Sequence, residues 1–195
     1  PLFIPHLRRR YPDLKLFLHE YQTAVLLQML RDAQLEVLLL ALPVETDEFV
    51  ESNLFREPFL LTVAEDDPLA RHECASLDLL KGIEVMLLEE GHCMRGQALD
   101  VCLSGGAREH RGFRGTSLET LRQMAAEGIG ITLMPKLATL RERDRESHIR
   151  YIPFQDPAPT RRIGLLYRKG SYRTDSFSAI GEVIREAVSP CLEPG

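Results

Sequence analysis

The stretch Leu35–Leu42 most constrains this chain, because it is almost wholly apolar and of strand length. A strand apolar on both faces needs cover on both, as a parallel strand in an α/β sheet has. Strand-like and helix-like segments alternate around it. Leu14–Leu18 reads as a strand after the turn Tyr11-Pro12-Asp13. Thr23–Arg31 carries Val25, Leu26, Leu27, Met29 and Leu30 and reads as a helix, with Thr23 as its cap. Leu54–Glu65 is a run of strand formers interrupted by Pro58, and Val85–Leu88 is a second buried strand. Thr116 and Glu119 have capping-box spacing, ahead of a helix through Leu121, Met124 and Ala125 that stops near Gly128. Strands follow at Ile129–Met134 and Ile163–Tyr167, and Asp175–Val188 is an amphipathic helix. The alternation predicts an α/β fold with mostly parallel sheets. Chain crossings near Glu57-Pro58 and in the Pro153/Pro157/Pro159 stretch imply a middle subdomain inserted into a first, with a ligand cleft between them.

Composition narrows the function classes. A chain of 195 residues with 44% hydrophobic and 27% charged residues buries a sizeable core, which excludes disorder as its main state. No apolar run approaches the ~20 residues of a membrane helix. The formal charge is −5, from 24 Lys and Arg against 29 Asp and Glu. A chain that neutralises phosphates by itself is usually basic, so this one alone is a poor nucleic-acid binder. It begins at Pro1, inside what reads as a helix, so it is expected to be a piece of a longer protein. No basic-then-apolar signal segment is in view. The cysteines Cys74, Cys93, Cys102 and Cys191 show no C-x-x-C pair, and they read as reduced thiols in a cytosolic protein.

The most informative stretch runs from Glu89 to Cys102. It places Cys93 just past a buried strand, between His92 and Arg95, with Cys102 nine residues on. Cationic neighbours and helix N-termini favour the reactive thiolate. Cys102 could resolve a sulfenic acid on Cys93 as a disulfide. If Met94 to Cys102 is helical, the two thiols lie ~13 Å apart along it. A bridge needs Cα atoms within ~7 Å, so forming one would require local refolding. Two other readings stay open. The cysteines are small buried hydrophobes, or His92, Cys93, Cys102 and His110 form a zinc site, although without its usual paired spacing. Arg95 and Thr23 taken singly read as a solvated side chain and a helix cap, and Arg8-Arg9-Arg10 as a solvated helix end. There is no G-x-S-x-G, P-loop, H-E-x-x-H or G-x-G-x-x-G motif.

Gly91-His92-Cys93-Met94-Arg95-Gly96-Gln97-Ala98, with Cys102 beyond it, closely resembles the redox loop of the peroxide-sensing LysR-type transcriptional regulators. Leu18–Thr23, Glu65–Pro68, Arg71–Cys74, Thr116–Arg122, Gly130–Pro135 and Ile163–Arg168 extend the resemblance over essentially the whole chain. The loop with its cysteine spacing is highly specific, whereas Thr116–Pro135 is shared by many LysR-type proteins. The resemblance implies an α/β, periplasmic-binding-protein-like regulatory domain over 1–195. It would consist of two Rossmann-like subdomains with a cleft and two crossover strands, subdomain I being 1–56 plus 162–195 and subdomain II 57–161. The family's N-terminal DNA-binding domain would be absent from this chain.

By the same resemblance, Cys93 is the peroxide-reacting thiol and Cys102 its resolving partner. Thr23, His92 and Arg95 line the peroxide pocket or stabilise the thiolate. The resemblance also implies a bacterial, cytoplasmic activator of antioxidant genes that is not an enzyme and uses no cofactor, metal or membrane. Its partners would be hydrogen peroxide and a thiol reductant of the glutaredoxin or thioredoxin type. The regulatory domains would form a homodimer through helices near Leu2–Arg10 and Leu118–Ala126. In the full-length protein, a homotetramer would engage promoter DNA and RNA polymerase. Two departures matter. The family's pocket also uses a threonine upstream of Pro1, and a histidine of some relatives is replaced here by Gly112, with His110 not the matching residue. The alternatives are a LysR-type domain that binds a small organic effector in the cleft, a solute-binding protein of the same fold, and a thiol peroxidase.

Overall fold

The structure is a computed structural model that describes residues 2–44, 46–90, 93–140 and 148–192, with the side chain of Cys93 excepted. The chain divides into two compact units, Pro1–Arg56 with Arg161–Gly195, and Glu57–Thr160.

The first unit contains α1 (Ile4–Arg10), α2 (Thr23–Arg31), β1 (Val37–Leu42) and the start of β2 (Phe49–Ala64), and it is completed by β7 (Thr160–Arg168) and α5 (Thr174–Leu192). β1 and β7 run antiparallel, from Val37 opposite Tyr167 to Leu42 opposite Arg162. Leu30 from α2, Leu38, Leu40 and Leu42 from β1, Phe49 from β2 and Leu166 from β7 form one apolar cluster. Helix α5 buries Phe177, Val183, Ile184 and Val188 along one side, and its Gly181 lies close against Leu54.

The second unit holds the remainder of β2 with β3 (Glu84–Leu88), α3 (Cys93–Ser104), β4 (Arg108–Gly115), α4 (Leu118–Ala126), β5 (Ile131–Pro135) and β6 (Ile149–Pro153). Its strand order is β6-β2-β5-β3-β4. β3 is parallel to both β4 and β5, whereas β2 is antiparallel to β5 and β6. The segment β3-α3-β4-α4-β5 is therefore a βαβαβ unit whose first strand lies between the other two. The first connection runs from β3 through α3 to β4 on one side, and the second runs from β4 through α4 back past β3 to β5 on the other. A sheet changes direction in this way at a topological switch point, and ligands of α/β proteins bind beyond the strand carboxyl ends there. Cys93 opens the helix that follows β3.

Several expectations are corrected. The sheets are mixed rather than mostly parallel. Leu35–Leu42 narrows to β1, which is antiparallel to its neighbour and exposes Leu39. An apolar run reports that a strand is covered; it carries no information about the direction of the strand beside it. Leu14–Leu18 forms no strand, and Phe17 and Leu18 are exposed. Strand propensity is not enough without a neighbour to complete the ladder, and no described strand pairs with this segment. β2 continues through Pro58, its pairing with β5 starting at Phe59 and with β6 at Leu60. The cap of α4 is Ser117, which is extended at φ −146° and accepts the Thr120 N–H at 3.1 Å. Thr116 is exposed and plays no such part, while Glu119 accepts from Arg122 and Gln123 instead. Thr23 is the first residue of α2 and not its cap, since Gln22 occupies the capping position without a side-chain bond.

Gly164 in β7 shows how tightly the first unit is packed. A Cβ there would lie 2.4 Å from Leu42 Cδ1 and 2.5 Å from the Ser52 carbonyl oxygen. The backbone oxygen cannot swing aside as a side chain can. We therefore expect Gly164→Ala to cost about 1–3 kcal/mol, the usual penalty for overpacking a filled core. It should lower Tm by about 2–4 °C for each kcal/mol in a domain of this size, as read by thermal melting.

Candidate redox site

Helix α3 has no broad apolar face, but one narrow stripe of it is buried. Met94, Ala98 and Cys102 recur every four residues, at 5%, 1% and 0% exposure, and they pack into the core of the second unit. This four-residue recurrence aligns side chains along one helix face, here the one turned to β3 and β4. The Cys102 thiol is pushed up to about 12, chiefly by burial, with the nearby Glu109 charge adding to the effect. At neutral pH it is a protonated thiol packed as a small hydrophobe, and a poor nucleophile.

Cys93 is the first residue of the same helix. The first turn of a helix carries unpaired backbone N–H groups and favours negative charge. Cys93 and Cys102 are nine positions apart in one unbroken helix. At ~1.5 Å and ~100° per residue they are separated by ~13 Å along the axis and lie on opposite sides of it. A disulfide between them is incompatible with this helix.

Arg95 lies in the first turn of α3, and it is not a solvated side chain. Its Nη1 donates to the Leu88 carbonyl oxygen at 3.0 Å and to Glu109 Oε1 at 2.9 Å. Its Nη2 donates to Glu109 Oε2 at 2.9 Å, which completes a two-pronged ion pair. The Arg95 side chain is only 12% exposed. Arg114 Nε adds a third donor to the Glu109 carboxylate at 3.1 Å. The Arg95 hydrogen bonds, ahead of the charges of Arg95 and Arg114, hold the Glu109 carboxyl below the usual carboxylate range. Sequence reasoning missed Glu109 and Arg114 because β4 is a polar strand without apolar alternation. The strand also bulges. Glu109 sits opposite Val85 and Arg114 opposite Leu87, so five positions on β4 match two on β3. The bulge brings both side chains to one place.

The other candidates are distributed as follows. Thr23 is half-buried at the start of α2, in the first unit. His92 and the Cys93 side chain lie outside the described residues. His110 Nδ1 accepts the Gly112 N–H at 3.2 Å within the bulge. Among the described residues no group of three His, Cys, Asp or Glu side chains is placed to hold a metal ion. Cys74 is exposed and Cys191 half-buried.

The model of the LysR substrate binding domain matches residues 1–189. The chain belongs to this family. The hydrogen peroxide-inducible genes activator of Escherichia coli O6:H1 is 45% identical over 185 residues, covering 95% of this chain and 60% of that protein. The chain thus spans less than two thirds of the length of this relative. A crystal structure of the oxidised form of OxyR aligns with TM-score 0.86 at 43% identity, covering 99% of this chain and 91% of that one. One of the reduced form of OxyR aligns with TM-score 0.86 at 41% identity, covering 97% and 89%. The LysR-type α/β fold and the homology to OxyR follow from these matches together.

Two outcomes are expected from the site geometry. In the reduced, native protein, iodoacetamide should modify Cys74 at least ~100-fold faster than Cys102, which reacts only on unfolding. Peptide mapping of a labelling time course checks this. The depressed Glu109 carboxyl gives a sign for acid sensitivity. Its stabilising contribution is complete above the unfolded carboxylate range and is lost as pH falls through the lower, folded value. Glu109→Gln should remove that part of the acid-induced loss of stability, as read by urea midpoints across acidic pH.

Proposed function

We propose that this chain is the regulatory, peroxide-sensing domain of a bacterial transcriptional activator, with Cys93 and Cys102 as its redox pair. The observation that carries this reading is the single helix holding both cysteines. Joining them requires α3 to unwind, so a chemical event becomes a change of shape.

The chemistry balances without a cofactor. The Cys93 thiolate attacks one oxygen of hydrogen peroxide, and the O–O bond breaks. The other oxygen leaves as water after taking up the proton released by the thiol. Cys93 is then a sulfenic acid. The sulfur of Cys102 attacks it, the S–S bond forms, the S–O bond breaks, and the hydroxyl leaves with the Cys102 proton as a second water. Two thiols supply the two electrons that reduce one peroxide. A thiol reductant of the glutaredoxin or thioredoxin type reverses the step. Because the output of the oxidation is a change of shape and not sustained turnover of peroxide, the domain acts as a sensor and not as a peroxidase enzyme.

Thr23 and His92 line the peroxide pocket in this reading, and Arg95 adds positive charge to the first turn of α3. Subdomain I is 1–56 plus 162–195 and subdomain II is 57–161. The domains pair as a homodimer through helices near Leu2–Arg10 and Leu118–Ala126 in this reading. The full-length protein is a cytoplasmic tetramer that acts on promoter DNA and RNA polymerase. The E. coli relative's description as a hydrogen peroxide-inducible genes activator, and the two redox forms of OxyR, support the same reading.

Near-stoichiometric hydrogen peroxide should remove two free thiols, with the new disulfide mapped to Cys93–Cys102 by intact mass and peptide analysis. Cys93→Ser should abolish the loss. Survival of all thiols in the wild type would sink the proposal. Removal of the resolving thiol is better done with Cys102→Ala than with Cys102→Ser. A serine hydroxyl in this apolar site costs about 1–3 kcal/mol unless it finds a partner. The alanine variant should therefore melt higher than the serine variant.

A further inference from the structure

We propose that Glu109 is a positioning residue for the sensing reaction, and that its ion pair with Arg95 latches α3 into the helical, reduced form. This inference rests on the Cys93–Cys102 reading above and deepens it. Three observations lead to it.

First, Arg95 ties the first turn of the cysteine helix to two strands at once. It grips the Leu88 carbonyl oxygen at the end of β3 and both carboxylate oxygens of Glu109 on β4. Arg95 is only two positions beyond Cys93. Unwinding from the Cys93 end moves this turn relative to the strands, and so breaks or rebuilds the contacts.

Second, the pair is well placed to resist that motion. Arg95 and Glu109 are 12% and 24% exposed, so bulk water screens them less than it screens the surface pairs of this chain. The geometry is bidentate, which is stronger and more directional than a single-donor bridge. Arg114, at 54% exposure, donates to Glu109 Oε1, the same oxygen that Arg95 Nη1 uses.

Third, the latch and the resolving thiol share one helix. Met94 flanks Arg95 and begins the buried stripe that ends at Cys102. While the first turn is held, Cys102 stays in the core as a protonated thiol. Release of the turn frees both cysteines together. The latch therefore opposes oxidation thermodynamically by stabilising only the reduced fold. The opposing free energy of the ion pair is a built-in adjustment of how readily the sensor trips.

The redox equilibrium of the Cys93–Cys102 pair tests this. Wild type, Glu109→Gln, Arg95→Gln, the double variant and Arg114→Gln are each equilibrated in dithiothreitol redox buffers, and the disulfide fraction is read by mass after acid quenching. Loss of a charge-assisted pair from one state only should shift the oxidised-to-reduced ratio about tenfold or more toward the disulfide. Glu109→Gln and Arg95→Gln should shift it alike, and the double variant little further, because both remove one interaction. Arg114→Gln should shift it less. A merely structural role would weaken both redox forms together and leave the ratio unmoved. Unchanged ratios, or fully additive shifts in the double variant, would overturn the latch. If Glu109→Gln does not fold, Glu109→Asp reads the same quantity, since its shorter reach cannot hold Arg95 in the same two-pronged geometry. A wild type that forms no Cys93–Cys102 disulfide would instead overturn the switch reading, and the latch with it.

Discussion

Everything at the candidate site depends on Cys102 being buried on the inner face of an unbroken helix. A thiol in that position is protonated, packed and out of reach. A cysteine nine positions earlier is on the far side of the same cylinder. Helical geometry alone therefore separates two residues that sequence brings close. In the proposed reading the separation is the resource of a switch, because a Cys93–Cys102 disulfide could form only in a different backbone arrangement, which it would then stabilise covalently.

The surrounding architecture puts this helix where small differences matter. It starts at the switch point of a βαβαβ unit, where α/β proteins present ligands to helix N-termini and loop backbone. Its outer end is not held by apolar packing alone. The Arg95–Glu109 pair fixes the first turn, while Met94 and Ala98 join the core beneath it. The helix thus combines an electrostatic fastening at one end with an apolar stripe along its length. The two have different sensitivities: the first responds to charge and acid, the second to cavities and polar substitution.

Much of the fold was legible in the residues. The Thr23–Arg31 helix, the buried strand at Val85–Leu88 and the terminal amphipathic helix all appear near their expected places, because their apolar spacing matches the element formed. The failures have physical causes. Leu14–Leu18 has strand-like side chains but no described neighbour to complete a ladder. β4 is a strand that periodicity hides, since charged residues fill it and a bulge breaks its register. That bulge is the feature that makes Glu109 and Arg114 part of the site.

By itself, the sequence determined the chemistry on offer: two cysteines at a fixed interval, a loop closely similar to that of known peroxide sensors, and an acidic chain unsuited to gripping DNA alone. The helix over Met94–Cys102 entered the sequence reading only as a condition, because the segment has no broad apolar face to announce it. Tertiary structure decided what those groups can do before any oxidation occurs. It buried Cys102 against β3 and β4 and turned Arg95 from a solvated cation into a brace. It also recruited Glu109 from a strand whose partners no local pattern specifies. Contacts between distant segments depend on register and bulge, which are set by the neighbouring strand and not by the residues of the segment itself.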